Sequence, residues 1–168
     1  MTAVKIVAAT RAQAETIIRR LKAEFPDEDG GFYHDRDIIR KASRDSELSC
    51  LCRGRTILGF GVFTLGSKRS KIDILEVFPA YRGHGYGQLL AHYLVQFLFT
   101  SGAQRIDLEC APSSSESFWR MIGFVDHELP RSGFGRPMLT LRPWPNNSFK
   151  PSPLRGLGPA GTAMGGPA

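Results

Sequence analysis

Apolar positions change spacing several times along the chain, and each change marks an element. Val4 to Ala9 is a short β-prone run. Thr10 then stands where a helix cap is expected, and Ala12, Ile17, Ile18 and Leu21 recur at helical spacing until Pro26 ends the pattern. An acidic, glycine-containing stretch from Asp27 to Gly31 leads to a second helix around Arg36 to Ala42. Leu48 to Arg53 and Thr56 to Leu65 are β-prone runs joined by Arg53-Gly54-Arg55, which predicts an antiparallel hairpin. Lys71 to Phe78 reads as the next strand, stopped by Pro79. After a glycine-rich turn, Leu89, Leu90, Tyr93, Leu94, Phe97 and Leu98 lie at helical spacing within Gln88 to Phe99. A strand at Arg105 to Cys110, a helix from Ser113 to Ile122 with Gly123 as C-cap, and a strand at Met138 to Leu141 complete the series. The order is β, α, α, β, β, β, α, β, α, β. A βαβ unit follows antiparallel hairpins, so the expected class is a mixed α/β sheet flanked by helices.

Composition sets the limits of this reading. With 168 residues, 42% hydrophobic content and 11 Phe, the chain is long enough for one domain with a real core. Beyond Trp144 the sequence is crowded with Pro, Gly, Ser and Asn, so residues 1–144 are expected to fold and residues 145–168 to form a disordered tail. The run from Asn146 to Gly156 resembles the translated inverted repeat of an integron cassette recombination site. The opening residues carry no signal-peptide pattern, and no stretch approaches the roughly 18 apolar residues of a membrane span. A soluble, cytoplasmic protein without membrane contact is therefore expected. Three cysteines argue against a disulfide framework. Cys50 and Cys52 point to one strand face without His or Cys partners at metal spacing, so no metal is expected. A net charge of +6 suits an anionic ligand. No basic run or recognised nucleic-acid module favours nucleic acid, which would bind with steep salt dependence.

The most informative stretch is the strand ending at Val77-Phe78, the turn Arg82-Gly83-His84-Gly85-Tyr86-Gly87 and the helix behind it. Glycines let successive amides point into one concavity, and a helix N-terminus adds partial positive charge; together they form an anion cradle suited to a pyrophosphate. A dinucleotide site would put an acid where Asp107 and Glu109 stand, but glycines at 83, 85 and 87 do not give G-x-G-x-x-G. The spacing of Arg82, Gly85 and Gly87 instead resembles the cofactor signature of the GNAT superfamily of N-acetyltransferases. Val77 to Tyr81 and Phe118 to Phe124 resemble that family's flanking strand and later helix, so the likeness runs from about Val4 to Arg142.

The resemblance implies a GNAT-like fold, acetyl-CoA as co-substrate and an amine acceptor; it leaves the oligomeric state open, a homodimer among the options. It assigns Val77 and Phe78 to the pantetheine arm through backbone groups, Arg82, Gly83, His84, Gly85, Tyr86 and Gly87 to the pyrophosphate, and Trp119 to the cofactor's thiol end. Amine acetylation needs a neutral nucleophile, hence a proton acceptor. Glu76 and Asp73, on the strand entering the turn, are the candidates, and alternation puts them on opposite faces unless a bulge intervenes. Glu109 is a third. Trp119 occupies a position where many members of the family have tyrosine, and indole does not release its proton at useful pH, leaving water, Ser115 or Ser117 to meet the departing thiolate. That substitution also keeps open a second function, an acyl-CoA-binding module without catalysis. Acceptor choice is expected in the loops Pro26 to Asp35 and His127 to Arg136. The acids Asp27, Glu28, Asp29, Asp35 and Asp37 hint at a cationic acceptor.

Overall fold

A computed structural model describes residues 3–24 and 31–143. The expected tail, its cassette-like run and the acids Asp27 to Asp29 lie outside the described residues. A sheet of seven strands has the order β1-β2-β3-β4-β5-β7-β6. The strands are β1 (Val4–Ala8), β2 (Leu48–Arg53), β3 (Thr56–Thr64), β4 (Arg69–Val77), β5 (Arg105–Glu109), β6 (Val125–Arg131) and β7 (Pro137–Leu141). Every pairing is antiparallel except β4 with β5, the parallel pair closed by the crossover helix.

Helices α1 (Arg11–Glu24) and α2 (Arg36–Arg44) cover one face, while α3 (Tyr86–Thr100) and α4 (Glu116–Ile122) cover the other. Helix α1 starts on a reciprocal cap: Gln13 N–H donates to Thr10 Oγ1 at 3.2 Å, and Thr10 N–H donates to Gln13 Oε1 at 2.9 Å. Its Ala14, Ile17, Ile18 and Leu21 are buried against Ile39 of α2 and the β2 and β3 residues Cys50, Cys52, Phe60 and Val62. Burial pushes the Cys50 thiol up to about 12, so this pair sits in the core as inert apolar filler. On the opposite face Ala91, Leu94, Val95 and Leu98 of α3 meet Ile72, Ile106, Leu108 and Trp119.

The chain order matches the expected one with one addition, strand β6. Only His127 of its seven residues is buried, and Pro130 and three charged residues leave no alternating apolar signature. Among the described residues no helix is long and apolar enough to cross a membrane.

Candidate active site

Strands β4 and β5 share only a short ladder, from Arg69 opposite Arg105 to Ile72 opposite Leu108. Beyond that point they part, and the gap opens a cleft of about 380 Å³ lined by Ile72 to Val77, Leu108, Glu109, Ser115, Phe118 and Trp119. The glycine turn closes its far end: Arg82, Gly83, Gly85, Tyr86 and Gly87 all border it. A smaller recess of about 180 Å³ continues from it past Asp73 and Glu109 to Asp35 and Arg136.

The turn has the conformation that glycine makes accessible. Gly83 and Gly85 both have φ +77°, and a Cβ built on either meets nothing within 4 Å, so each opens onto free space at the start of α3. A side chain there would fill the very concavity an anion needs. Helix α3 has Gly85 as its N-cap with no side-chain cap bond, which leaves its first amides unclaimed by any capping side chain. These features fit a pyrophosphate.

A bulge in β4 decides the facing of the two acids. Val62 and Phe63 of β3 stand opposite Ile74 and Ile72, so Asp73 is an extra residue in the ladder. Ile72 packs among the α3 residues, whereas Ile74 packs among those of α1 and α2. Asp73 accepts from Thr64 Oγ1 at 2.7 Å and pairs with Lys71 at 3.0 Å. It therefore shares the α1/α2 face with Glu76, and the opposite facing expected from simple alternation is corrected. Strand β3 approaches closely here: a Cβ on Gly59 would lie 2.5 Å from the Glu76 carbonyl oxygen.

Glu76 is pushed above the usual carboxylate range by burial, against the pull of Arg82 and with added repulsion from Glu24 of α1. Arg82 turns away from the glycine concavity. Its Nη2 donates to Glu76 Oε1 at 2.5 Å and its Nε to the Val77 carbonyl at 2.9 Å. Glu109 is held at 3.1 Å by Arg136 from β7's approach.

Several expected contacts are redirected. Phe78 does not line the cleft; its side chain is fully buried against Phe60, and its N–H donates to Leu58 O at 3.0 Å, because β3 still pairs with β4 at that point. His84 folds back so that Nδ1–H donates to Arg82 O at 2.8 Å, and its ring stacks on Tyr86, whose hydroxyl is held by Arg53 of the β2–β3 turn. Trp119 does reach the cleft, wedged edge-on between Phe118 and Phe124. Of the two serines considered, Ser115 borders the cleft and Ser117 does not. A feature the sequence pattern did not suggest lies one strand over: Arg105, Asp107, His127 and Thr140 form a buried polar cluster whose members come from β5, β6 and β7.

The family model described as acetyltransferase (GNAT) family matches residues 14–124. The [ribosomal protein bS18]-alanine N-acetyltransferase of Haemophilus influenzae is 27% identical over 88 residues, which are 52% of this chain and 60% of that protein, so the chain spans less than two thirds of this relative. The N-acetyltransferase PaiA of Thermoplasma acidophilum, solved with coenzyme A, shares the fold at a TM-score of 0.67 and 14% identity, covering 83% of this chain and 99% of that one. N-acetylglutamate synthase of Neisseria gonorrhoeae, solved with coenzyme A and L-arginine, does so at 0.64 and 18% identity, over 84% of this chain and 34% of that one.

Proposed function

The chain belongs to the acetyltransferase (GNAT) family, and on that premise we propose that it moves an acetyl group from acetyl-CoA directly to a primary amine of a small molecule or peptide. One observation carries this reading. The open glycine turn at the head of α3 and the carboxylate of Glu76 border a single cleft where β4 and β5 part.

Acetyl-CoA supplies an activated acyl group as a thioester. The amides of Gly83 to Gly87 hold its pyrophosphate with the help of the α3 N-terminus, and Val77 borders the path of the pantetheine arm. The chain's contribution at the reacting end is positioning and proton handling. Glu76 accepts a proton from the acceptor's ammonium, directly or through a water, so that the nitrogen lone pair is free to attack the carbonyl carbon. The new C–N bond forms as the C–S bond breaks, and the second nitrogen proton ends on the departing sulfur. Ser115 borders the cleft, where its Oγ donates to Pro112 O at 2.8 Å, and its hydroxyl is the group we assign to hydrogen-bonding that sulfur. Asp73, on the same face and already engaged by Thr64 and Lys71, is the acid better suited to orienting the acceptor.

Replacing Gly85 with Asp puts a negative side chain into the concavity, and calorimetry should show acetyl-CoA affinity reduced by more than about tenfold, or 1.4 kcal/mol. Unchanged affinity removes the cradle assignment. Thiol release from acetyl-CoA across an amine library tests turnover; binding without release from any amine favours the non-catalytic module.

A further inference from the structure

Resting on the proposed acetyl transfer, we infer that the guanidinium of Arg82 serves the acceptor side of the cleft and not the pyrophosphate: it is the positioning residue that holds the Glu76 carboxylate ready to take the amine's proton. The geometry is specific. Arg82 sits in the glycine turn, yet its side chain runs back along β4 and commits two of its donors there, Nε to the Val77 carbonyl at 2.9 Å and Nη2 to Glu76 Oε1 at 2.5 Å. One bond fixes the guanidinium plane against the strand backbone, and the other fixes the carboxylate against the guanidinium. A lysine has a single nitrogen on a flexible stem and cannot reproduce this fork. The Glu76 carboxyl is thereby held in one orientation at the mouth of the cleft, with only 15% of its side chain exposed.

The neighbours explain why a cation is needed at this spot. Glu24, at the end of α1, is the second carboxylate near Arg82, and it repels the Glu76 charge. Arg20, the other cation on that helix face, is occupied elsewhere: Nη1 donates to Ile57 O at 2.8 Å and the guanidinium carbon lies 3.9 Å from the Phe78 ring centre. Asp73, on the same strand face as Glu76, is itself an acid and is paired with Lys71 at 3.0 Å. Arg82 is thus the cation that offsets burial and the like charge of Glu24 at Glu76, while the glycine turn offers its anion site through amides that need no side chain. Burial and Glu24 raise the Glu76 pKa and Arg82 lowers it, so losing Arg82 leaves the carboxyl protonated to higher pH.

The test is Arg82→Gln in the full chain, read by acetyl-CoA calorimetry and by the pH dependence of kcat with an acceptor identified in the amine screen. The expected result is acetyl-CoA affinity within about threefold of the parent, or about 0.7 kcal/mol, with the acid limb of the kcat profile displaced upward by about one pH unit. Arg82→Lys should fall between the two. In the double variant with Glu76→Gln, the Arg82→Gln change should have no further effect on kcat, because the group it acts through is gone. A carbon-13 titration of the Glu76 carboxyl in the protein without acceptor gives a readout independent of turnover, and should show the same upward displacement. Loss of acetyl-CoA affinity in Arg82→Gln with an unmoved acid limb, or an unmoved Glu76 titration, overturns the inference. A parent enzyme with no acid limb at all would instead refute the role given to Glu76 in the proposed function, so the two failures are told apart.

Discussion

Glu76 on β4 and Asp107 on β5 are both withdrawn from water, and burial acts on each in the same direction, yet they end on opposite sides of the ordinary carboxylate range. Asp107 accepts from Thr140 Oγ1 at 2.7 Å and from Arg105 Nε at 3.1 Å and Nη2 at 3.0 Å, with Arg69 at 3.2 Å and His127 Nε2 at 3.5 Å. Burial alone would raise it; the Thr140 and Arg105 bonds overcome that and hold it low. Glu76 receives one guanidinium bond, faces a cleft, and burial prevails. The number of donors therefore decides the outcome. A carboxylate whose oxygens are fully engaged is fixed in its ionised state and ties strands together, whereas one with accepting capacity left over can trade protons with whatever enters the cleft. The first serves the fold and the second serves chemistry.

The largest effect is expected at Asp107. Asp107→Ala removes the buried anion beside Arg105, which is only 8% exposed and keeps as its anion just the exposed Glu128 at 3.1 Å, and loss of one partner of a buried pair costs roughly 3–5 kcal/mol. A melting temperature lowered by roughly ten degrees is expected in calorimetric scans, with the pH limb of kcat unmoved in the protein that remains folded. A neutral melting curve would show that the cluster does not hold the β5–β7–β6 end.

Glu76→Gln should reverse the pattern. Turnover falls roughly 10²-fold by the usual scale of general base catalysis, while the melting temperature and acetyl-CoA affinity stay close to the parent. Because the bulge puts Asp73 on the same face, Asp73→Asn is not a control from the far side of the sheet. A smaller loss, expressed mainly in the KM of the acceptor, is expected from it. Should Asp73→Asn prove the more damaging for kcat, the two acids exchange roles.

Stability against pH gives the next, smaller contrast, and its signs are opposite for the two groups. Asp107 has a lowered folded pKa, so its contribution is complete above the unfolded value of about 3.9 and is lost as pH falls through the folded value. Glu76 has a raised folded pKa, so its contribution is complete below about 4.3 and is lost as pH rises through its folded value. Urea titrations across this range should accordingly show that Glu76→Gln removes part of the stability loss on the rising side, and that Asp107→Asn flattens the fall at acid pH.

The smallest effect is expected from deleting residues 145–168, whose Pro- and Gly-rich composition offers little apolar area to bury. Thermal scans should place the truncated chain within about one degree of the full one.

What the sequence revealed and what it hid follow one physical line. Strand, turn and helix around Arg82 to Gly87 were legible because glycine spacing and a 3.6-residue apolar period are local properties. Helix α1 was legible from Thr10 and the spacing of Ile17, Ile18 and Leu21 in the same way, although Ala14 and not the exposed Ala12 completes its buried face. The β4 bulge was not, since the extra residue shows itself only against β3, and Asp73 reads locally like any polar residue in a strand. The direction taken by Arg82 was hidden for a related reason: a long flexible cation in a phosphate-binding turn has an obvious anionic target, and the competing carboxylate is identified only when β4 is folded beside it. Strand β6 escaped because its partners replace the apolar alternation with a polar cluster assembled from three strands.

The bulge at Asp73 also bears on how such a strand changes over generations. Insertion of a single codon in a regular strand re-faces everything on one side of it, which ruins a two-sided core. Here the added residue is absorbed locally, and Ile72 and Leu75 still meet one layer of helices while Ile74 meets the other. An acid can therefore be gained or lost at this position by one in-frame insertion or deletion without disturbing the inventory of inward-facing neighbours. Chains of this architecture that differ by one residue between the β3–β4 turn and the glycine turn would then differ in the charge presented to the acceptor, and their alignment needs a gap placed at the bulge and not in the loop.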